Sequence, residues 1–587
     1  MAVDFTKGRS DMAPPRTSVP GVFPALEEQE FVIVIKNNET RHMYGMFKVQ
    51  SIIGSVRIEN TVITEKKLDK SNWTVVVTPF RQGKSASIVS TGELTSLDKN
   101  KIIKRITKYV DGVAAYLSPP IFTYAILLVS KKPSLSARVV HSICDDFLTL
   151  PSHSLCTPVA SFTSTPFCCL TNQTTEPLPL YTEDSINGME RMIHMTTNNL
   201  SNKRVHIVLA GGKNTGKSTL SKMIVNRLIE ELGVNDRPIY YLDADPGQSE
   251  FTPVACLSLH TIRSYILDQP FSHQSPSFEL AYFLGDVSPK DDKIRYMNCF
   301  TRLWEKHIDR SPSNSIVVVN TMGWVKDIGL NLLNGIVDKV QPQFILSCAS
   351  SNSFPEYNVG AYFSAMAHSQ INVVWRENFV NRNGTCPSAS TLRDMRISSY
   401  FSQCLSHSHL SISSLCEVPP LRNSLENMTI VIPDMLSALH DRSILASLNM
   451  QIVGLCSWDT FPPSKTDVRR LLNNDHLPWI VIQKRDNPPL RVIALALIRG
   501  IDIDKRVMYL LSPIEKEKLK DVDCIVRSQN ILIPQCIMDN QHSSSSVPYF
   551  LKPSTTSTLS RQAQMTVDLY GEFKNKTGFL RSRGHQK

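Results

Sequence analysis

The sequence predicts an α/β protein: a central parallel-sheet domain flanked by N- and C-terminal β-rich domains. Three observations carry this. Between residues 204 and 377, strand-sized apolar runs alternate with amphipathic helical stretches, the rhythm of a parallel sheet covered on both faces. The run VHIVLA (205–210) leads through a glycine-rich segment into the helical SKMIVNRLIEEL (221–232). Before and after this region, short β-branched and aromatic runs dominate.

Taken in order, residues 1–30 are polar and proline-rich and are expected to be disordered. Residues 31–182 form an N-terminal β-rich domain and linker. Its strands are FVIVIKNN (31–38), YGMFKVQSIIGSVRI (44–58), WTVVVTPF (73–80) and IFTYAILLVS (121–130), with a helix over 100–117. The Ser-, Thr- and Pro-rich stretch 150–182 reads as a long connection. The central domain spans 183–410 and opens on a helix over 183–200. After VHIVLA and its helix come strands at 238–245, 279–286, 315–321, 343–350 and 371–377, and helices at 294–308 and 329–340. Short apolar strands return over 411–540, a C-terminal β-rich domain. A polar, basic tail, 541–587, ends FLRSRGHQK.

A chain of 587 residues exceeds one core and implies several domains. Net charge +10 favours an anionic partner such as a nucleic acid. The 13 cysteines are odd in number and form no C-x-x-C, which argues against a disulfide framework and a zinc site and suits a reducing compartment. No signal-peptide core opens the chain and no apolar run is long enough to span a bilayer, so no membrane role is expected.

The glycine-rich segment matches G-x-x-x-x-G-K-[ST] at Gly211, Gly216, Lys217 and Ser218. Backbone N–H groups from Gly211 and Gly212 through Lys213, Asn214, Thr215 and Gly216 to Thr219 are expected to cradle phosphates at a helix start. Lys217 would reach the β/γ oxygens and Ser218 would ligate Mg²⁺. No N-K-x-D stands on a later strand to read guanine, no L-S-G-G-Q occurs, and there is no second arginine-rich half. Elimination leaves a kinase-like P-loop fold.

The next strand ends LDADPGQSE, placing Asp243 and Asp245 at the carboxyl edge of the sheet, where ligands bind in open α/β sheets. One carboxylate, assigned to Asp243, would hold Mg²⁺ through water. The other, Asp245, would take the proton of an incoming hydroxyl. Gln248 would orient a phosphate, a water or the acceptor. A polar turn at Asp-Pro-Gly is the structural alternative.

From LDADPGQSEFTP onward the residues resemble the polynucleotide 5′-hydroxyl kinase family. FLGDVSP (283–289) is similar to its F-x-G-x-x-S-P. VVVNTMGWVKDIGLNLL (317–333) is similar to its clasp, N-T-x-G-W followed by a helix. STLRDMRISSYF (390–401) is similar to its arginine-bearing lid. The E-F-T-P and G-W-V-K-x-x-G runs and the long N-terminal region resemble the nucleolar, ribosomal-RNA-processing branch. The chain departs from the pattern at Met322, where proline is frequent, and at VACL (254–257), where Pro-Gly is frequent.

The resemblance implies an ATP- and Mg²⁺-dependent kinase that phosphorylates an RNA 5′-hydroxyl end. Asp245, Asp243, Lys217, Arg393 and Arg396 would be catalytic. Gln248, Thr321, Gly323 and Trp324 would bind RNA, with an exposed Trp324 ring stacking on a base. Arg393 and Arg396, three apart, would share a helix face. It further implies processing of the second internal transcribed spacer, a stable complex with an rRNA-processing endonuclease, and a nuclear, nucleolar location. The alternatives are a non-catalytic ATP-binding scaffold for that endonuclease, an ATPase switch, and the messenger-RNA 3′-end or tRNA-splicing type of RNA kinase.

Overall fold

The computed structural model describes residues 181–350 apart from 234–236, then 369–375, 387–405 and most of 418–537. N-terminal to these it describes separate stretches between 22 and 171. The chain divides into two compact units. One holds residues 1–133, 146–178 and 382–384. The other holds 134–145, 179–381 and 385–587.

The first unit contains β1 (Val22–Pro24), β2 (Glu30–Lys36), β3 (Thr40–Ile53), β4 (Val56–Ile58), β5 (Thr61–Ile63), β6 (Thr74–Thr78), β7 (Ala86–Ser90), β8 (Tyr124–Ser130) and β9 (Cys168–Thr171). They form one sheet in the order β1-β2-β8-β3-β7-β4-β5, with β6 and β9 also paired to β3. Every pairing is antiparallel. Two differences from expectation stand out. Val22–Pro24, inside the segment expected to be disordered, pairs with β2, and Val22 is buried. Cys168–Thr171, inside the expected long connection, pairs with β3. The helix expected over 100–117 falls almost wholly outside the described residues, as does the tail 541–587.

The second unit begins, in sequence, with α1 (Leu135–Ile143) and α2 (Glu183–His194). Then follow β10 (Val205–Gly211), α3 (Lys217–Leu232), β11 (Ile239–Ala244), β12 (Cys256–Ile262), β13 (Ala281–Phe283), α4 (Lys293–Arg310), β14 (Ile316–Thr321), α5 (Ile328–Val340), β15 (Phe344–Ser350), β16 (Ser369–Trp375) and α6 (Ala389–Ser402). Five strands, β16-β15-β10-β14-β11, run parallel.

The alternation of β10 shows why its strands read as unbroken apolar runs. Val205, Ile207 and Leu209 pack with α2 and α3 residues such as Met192, Leu220, Ile224 and Leu228. Val208 and Ala210 pack with Phe300 and Leu303 of α4 and Leu333 and Ile336 of α5. Successive side chains point to opposite faces, and both faces are covered. Leu220, Ile224, Val225, Leu228 and Ile229 recur at the helical interval and are all buried. Gly233, at φ 73°, ends α3 where a Cβ would be disfavoured.

The expected all-parallel sheet is in fact mixed. β12 runs antiparallel to β11, and β13 antiparallel to β12. VACL (254–257), one of the departures from the family's pattern, leads into and begins β12. Residues 245–255 link β11 to β12 without a helix, and a parallel neighbour needs a crossover of about a dozen residues or more. The expected strand over 279–286 is confined to Ala281–Phe283.

Beyond β13 the sheet does not stop. Tyr282 pairs with Arg491 of β22 (Arg491–Asp502). From there β19 (Ile452–Ser457), β24 (Cys524–Arg527), β18 (Thr429–Pro433), β21 (Trp479–Gln483) and β20 (Val468–Arg470) continue outward, with β23 (Val507–Leu511) and β17 (Leu421–Ser424) beside β22. The strands over 411–540 thus extend the central sheet, and 15 strands share it. No described helix is long and apolar enough to cross a membrane.

Candidate active site

The carboxyl edge of the parallel strands gathers the predicted residues. β10 ends at Gly211 and α3 starts at Lys217, so the intervening loop lies at a helix N-terminus. A Cβ on Gly211 would sit 2.2 Å from the Cys348 carbonyl oxygen, so only glycine allows β10 and β15 to approach here. Asn214 and Gly216 adopt φ of 60° and 78°, curling the backbone into the concave turn that presents N–H groups. Thr215 donates its hydroxyl to Gly212 O at 2.9 Å, and Tyr181 donates to Gly216 O at 3.2 Å. Lys213, Asn214 and Thr219 are exposed, and Ser218 is half-buried.

Lys217 is buried and folds back on its own loop. Its ammonium donates to Gly211 O at 2.8 Å and Gly212 O at 2.6 Å. Burial lowers its pKa from the ordinary lysine value, while Asp245 pulls the other way.

The two aspartates have different surroundings. Asp243 is fully buried. Its Oδ1 accepts from the Asp245 N–H and the Asn320 side-chain amide, both at 3.3 Å. Its Oδ2 accepts from the Glu250 N–H at 2.6 Å. Burial pushes this carboxyl up to about 7. Asp245 is half-buried and accepts from Gly247 N–H at 3.1 Å. Burial raises it too, opposed first by Lys217 and also by Arg396. Asp243, expected to face a magnesium ion, is instead enclosed by three N–H donors. It shapes the turn that carries Asp245. The hydroxyl of Ser218 and the carboxylate of Asp245 are hard oxygen donors of the kind magnesium takes alongside water and phosphate, so the site's chemistry fits that ion.

A layer of residues behind the turn was not assigned from sequence. Glu250, whose N–H holds Asp243, is buried with Lys222 at 3.2 Å. His273 bridges from Asp268 at 2.6 Å to the Glu250 carbonyl at 2.8 Å. Tyr296 donates to Ala244 O at 2.8 Å. Of the partners of Asp243, Glu250 and Asn320 had a local signal, as the first residues of E-F-T-P and N-T-x-G-W.

That motif lies directly on the phosphate loop. Thr321 is buried and donates to Leu209 O at 2.6 Å. A Cβ on Gly323 would come within 2.8 to 3.0 Å of Lys213 Cγ, Cα and N, so glycine is what lets the turn rest there. Met322 is buried in the core cluster of α4 and α5. Trp324 is half-buried rather than exposed. Its ring packs against that cluster and over Gly329, where an added Cβ would lie 2.4 Å from the ring.

The arginine pair does not share one environment. Ser388 caps α6, accepting from Thr391 N–H at 3.0 Å. The helix is buried from Met395 to Ser402. Arg396 is 7% exposed and binds the acidic turn: Nε donates to Ser249 O at 3.0 Å and Nη1 to Gln248 Oε1 at 2.8 Å. Arg393 is half-buried. Gln248 in turn donates to Ala389 O at 3.3 Å.

Residues 211–403 match the family model described as mRNA cleavage and polyadenylation factor CLP1 P-loop. The chain is 27% identical over 573 residues to the polynucleotide 5′-hydroxyl-kinase nol-9 of Caenorhabditis elegans, covering 94% of this chain and 97% of that protein. The Caenorhabditis briggsae protein of the same name is 31% identical over 390 residues, covering 65% and 67%. The solved Clp1p–Pcf11p (454–563) complex aligns with 14% identity and a TM-score of 0.49, covering 85% of this chain and 97% of that chain.

Proposed function

Since this chain belongs to the polynucleotide 5′-hydroxyl kinase family, we propose that it transfers the γ-phosphoryl group of ATP to the 5′-hydroxyl end of RNA. The observation that carries the reading is the placement of Lys217, at the start of α3, and Asp245, just past the end of β11, at the same carboxyl edge of the parallel strands. A phosphate-loop cation and a half-buried carboxylate influence each other electrostatically there. Lys217 exchanges its loop carbonyls for β/γ oxygens. Asp245, held by the Gly247 N–H, accepts the proton of the 5′-hydroxyl. The 5′-oxygen forms a bond to phosphorus as the bond to the ADP oxygen breaks in line. Arg393, the more accessible lid arginine, balances charge on the moving group. Magnesium, held by Ser218 and reached through water from Asp245, would neutralise the phosphates when bound. Trp324 offers its half-buried ring to the terminal base.

In the cell, the acceptor is the 5′-hydroxyl left by endonuclease cleavage in the second internal transcribed spacer. The enzyme works in a stable complex with that endonuclease in the nucleolus. The names of its relatives and the sequence blocks shared with the nucleolar branch support this reading. The test is label transfer from γ-labelled ATP to 5′-hydroxyl RNA, set against ATP turnover without RNA. Label on RNA is expected. Turnover without RNA acceptance would make it a switch, and no turnover a scaffold. Depletion in cells should accumulate spacer fragments with 5′-hydroxyl ends. Their absence would remove the ribosomal role and leave the kinase.

A further inference from the structure

One side chain joins the lid helix to the acidic turn. Arg396 lies buried beneath residues 248 and 249 and spends two directions of its planar fork on them, through Nε to Ser249 O and Nη1 to Gln248 Oε1. Nη1 also reaches Leu392 O, one turn back on α6, at 3.2 Å. Gln248 closes the circuit by donating Nε2–H to Ala389 O in the first turn of the same helix. Nε and Nη1 of the guanidinium are thus committed to protein acceptors, leaving Nη2. Burial lowers its pKa, and Glu250, Asp245 and Asp243 oppose that shift.

We infer that Arg396 is a positioning residue: it sets Gln248 and the 245–250 turn for the acceptor and does not touch the transferring phosphoryl group. With Oε1 held by Arg396 and one Nε2 hydrogen held by Ala389, Gln248 retains one N–H to offer an oxygen of the RNA end. The charge stabilisation expected of both lid arginines falls to Arg393 alone. Lid and acceptor turn then move as one body, because α6 cannot shift without carrying Gln248.

This rests on the kinase reading above, and the experiment separates the two. Steady-state transfer is measured for Arg396→Lys, Arg396→Ala, Gln248→Ala and the Arg396→Ala/Gln248→Ala double variant. Backbone hydrogen exchange is followed over 246–250 and 212–218. Arg396→Lys should lose about as much kcat as Arg396→Ala, roughly 10- to 100-fold, because an ammonium cannot span both acceptors. KM for ATP should change little. The double variant should be no worse than the poorer single variant, since the two residues act as a unit. Exchange over 246–250 should quicken while 212–218 stays protected. Near wild-type kcat in Arg396→Lys, additive losses in the double variant, or unchanged exchange over 246–250 would each overturn the proposal. If Arg396→Ala does not fold, Arg396→Lys and Gln248→Ala still decide. The exchange measurement needs no turnover, so it judges Arg396 even if the wild-type chain labels no RNA.

Discussion

The phosphate loop and the acidic turn share the carboxyl edge of the sheet but draw on different parts of the chain. The loop is held largely by its own bonds, Lys217 to Gly211 and Gly212 and Thr215 to Gly212, with Tyr181 bonding to Gly216 from outside. The turn adds bonds from distant chain to those within it. Asp243 is fixed by Asn320, 77 residues on. Gln248 and Ser249 are fixed by Ala389 and Arg396, 141 and 147 residues on. The nucleotide side is therefore the more local of the two, and the acceptor side draws on more of the central fold. Lesions on the acceptor side should spare ATP binding, while lesions in the loop should strike both substrates.

Asp245→Asn tests this most severely. Asn keeps the shape but cannot take the proton, and base catalysis is worth about 10²–10⁴-fold. Transfer should fall by that factor with ATP affinity retained. Loss of ATP affinity as well would mean the two sides are not separable. Asp243 comes next, through pH. Its folded pKa of about 7 lies above the ordinary carboxylate value, so the folded state holds a proton that the unfolded state releases. The stabilisation is complete below the unfolded value and is lost as pH rises through about 7. It amounts to something on the order of 4 kcal/mol. Melting temperature should drop between pH 5 and pH 8 in the wild type, and Asp243→Asn should flatten that drop. An unchanged slope would show that another group carries it.

Lys217→Ala should cut transfer about 10²–10³-fold, the cost of one charge-stabilising donor. Residues 245–250 should stay ordered, since none of their bonds run to Lys217. Disorder there would break the contrast. The smallest effect belongs to Trp324→Ala. Stacking on an aromatic is worth about 1–3 kcal/mol, so KM for RNA should rise roughly 5- to 150-fold, with KM for ATP nearly constant. Because the ring also covers Gly329, the melting temperature is measured alongside. A large fall there with unchanged KM for RNA would make Trp324 a core residue only.

What was legible in the sequence follows the same divide. The loop's glycines, lysine and serine could be named at sight, because each is dictated by neighbours within nine residues. The position of Asp243 and Asp245 at a strand end was equally readable. Their environments were not. Which carboxylate is enclosed depends on Asn320 and on the Glu250 N–H, and no periodicity reports that. The arginine pair misled for a related reason. Spacing places Arg393 and Arg396 on neighbouring turns but cannot show that α6 sinks into the core from Met395 onward, where Tyr400 bonds to Pro276 and Leu495. The antiparallel β12 was missed because an apolar run looks the same whichever way its neighbour points.

The junction between β13 and β22 has a bearing on how the chain is made. β13 emerges from the ribosome more than 200 residues before Arg491 can pair with Tyr282. At about 5–20 residues per second, that interval is roughly 10–40 s. Until it ends, β13 is an open edge, first while β14 to β16 are still being made and then of the completed parallel strands. Phe283 then lacks the close cover of Gly454, where an added Cβ would lie 2.9 Å from its ring. An apolar strand edge waiting that long invites pairing with another chain. The nascent protein is thus most exposed to aggregation when its phosphate loop is already complete.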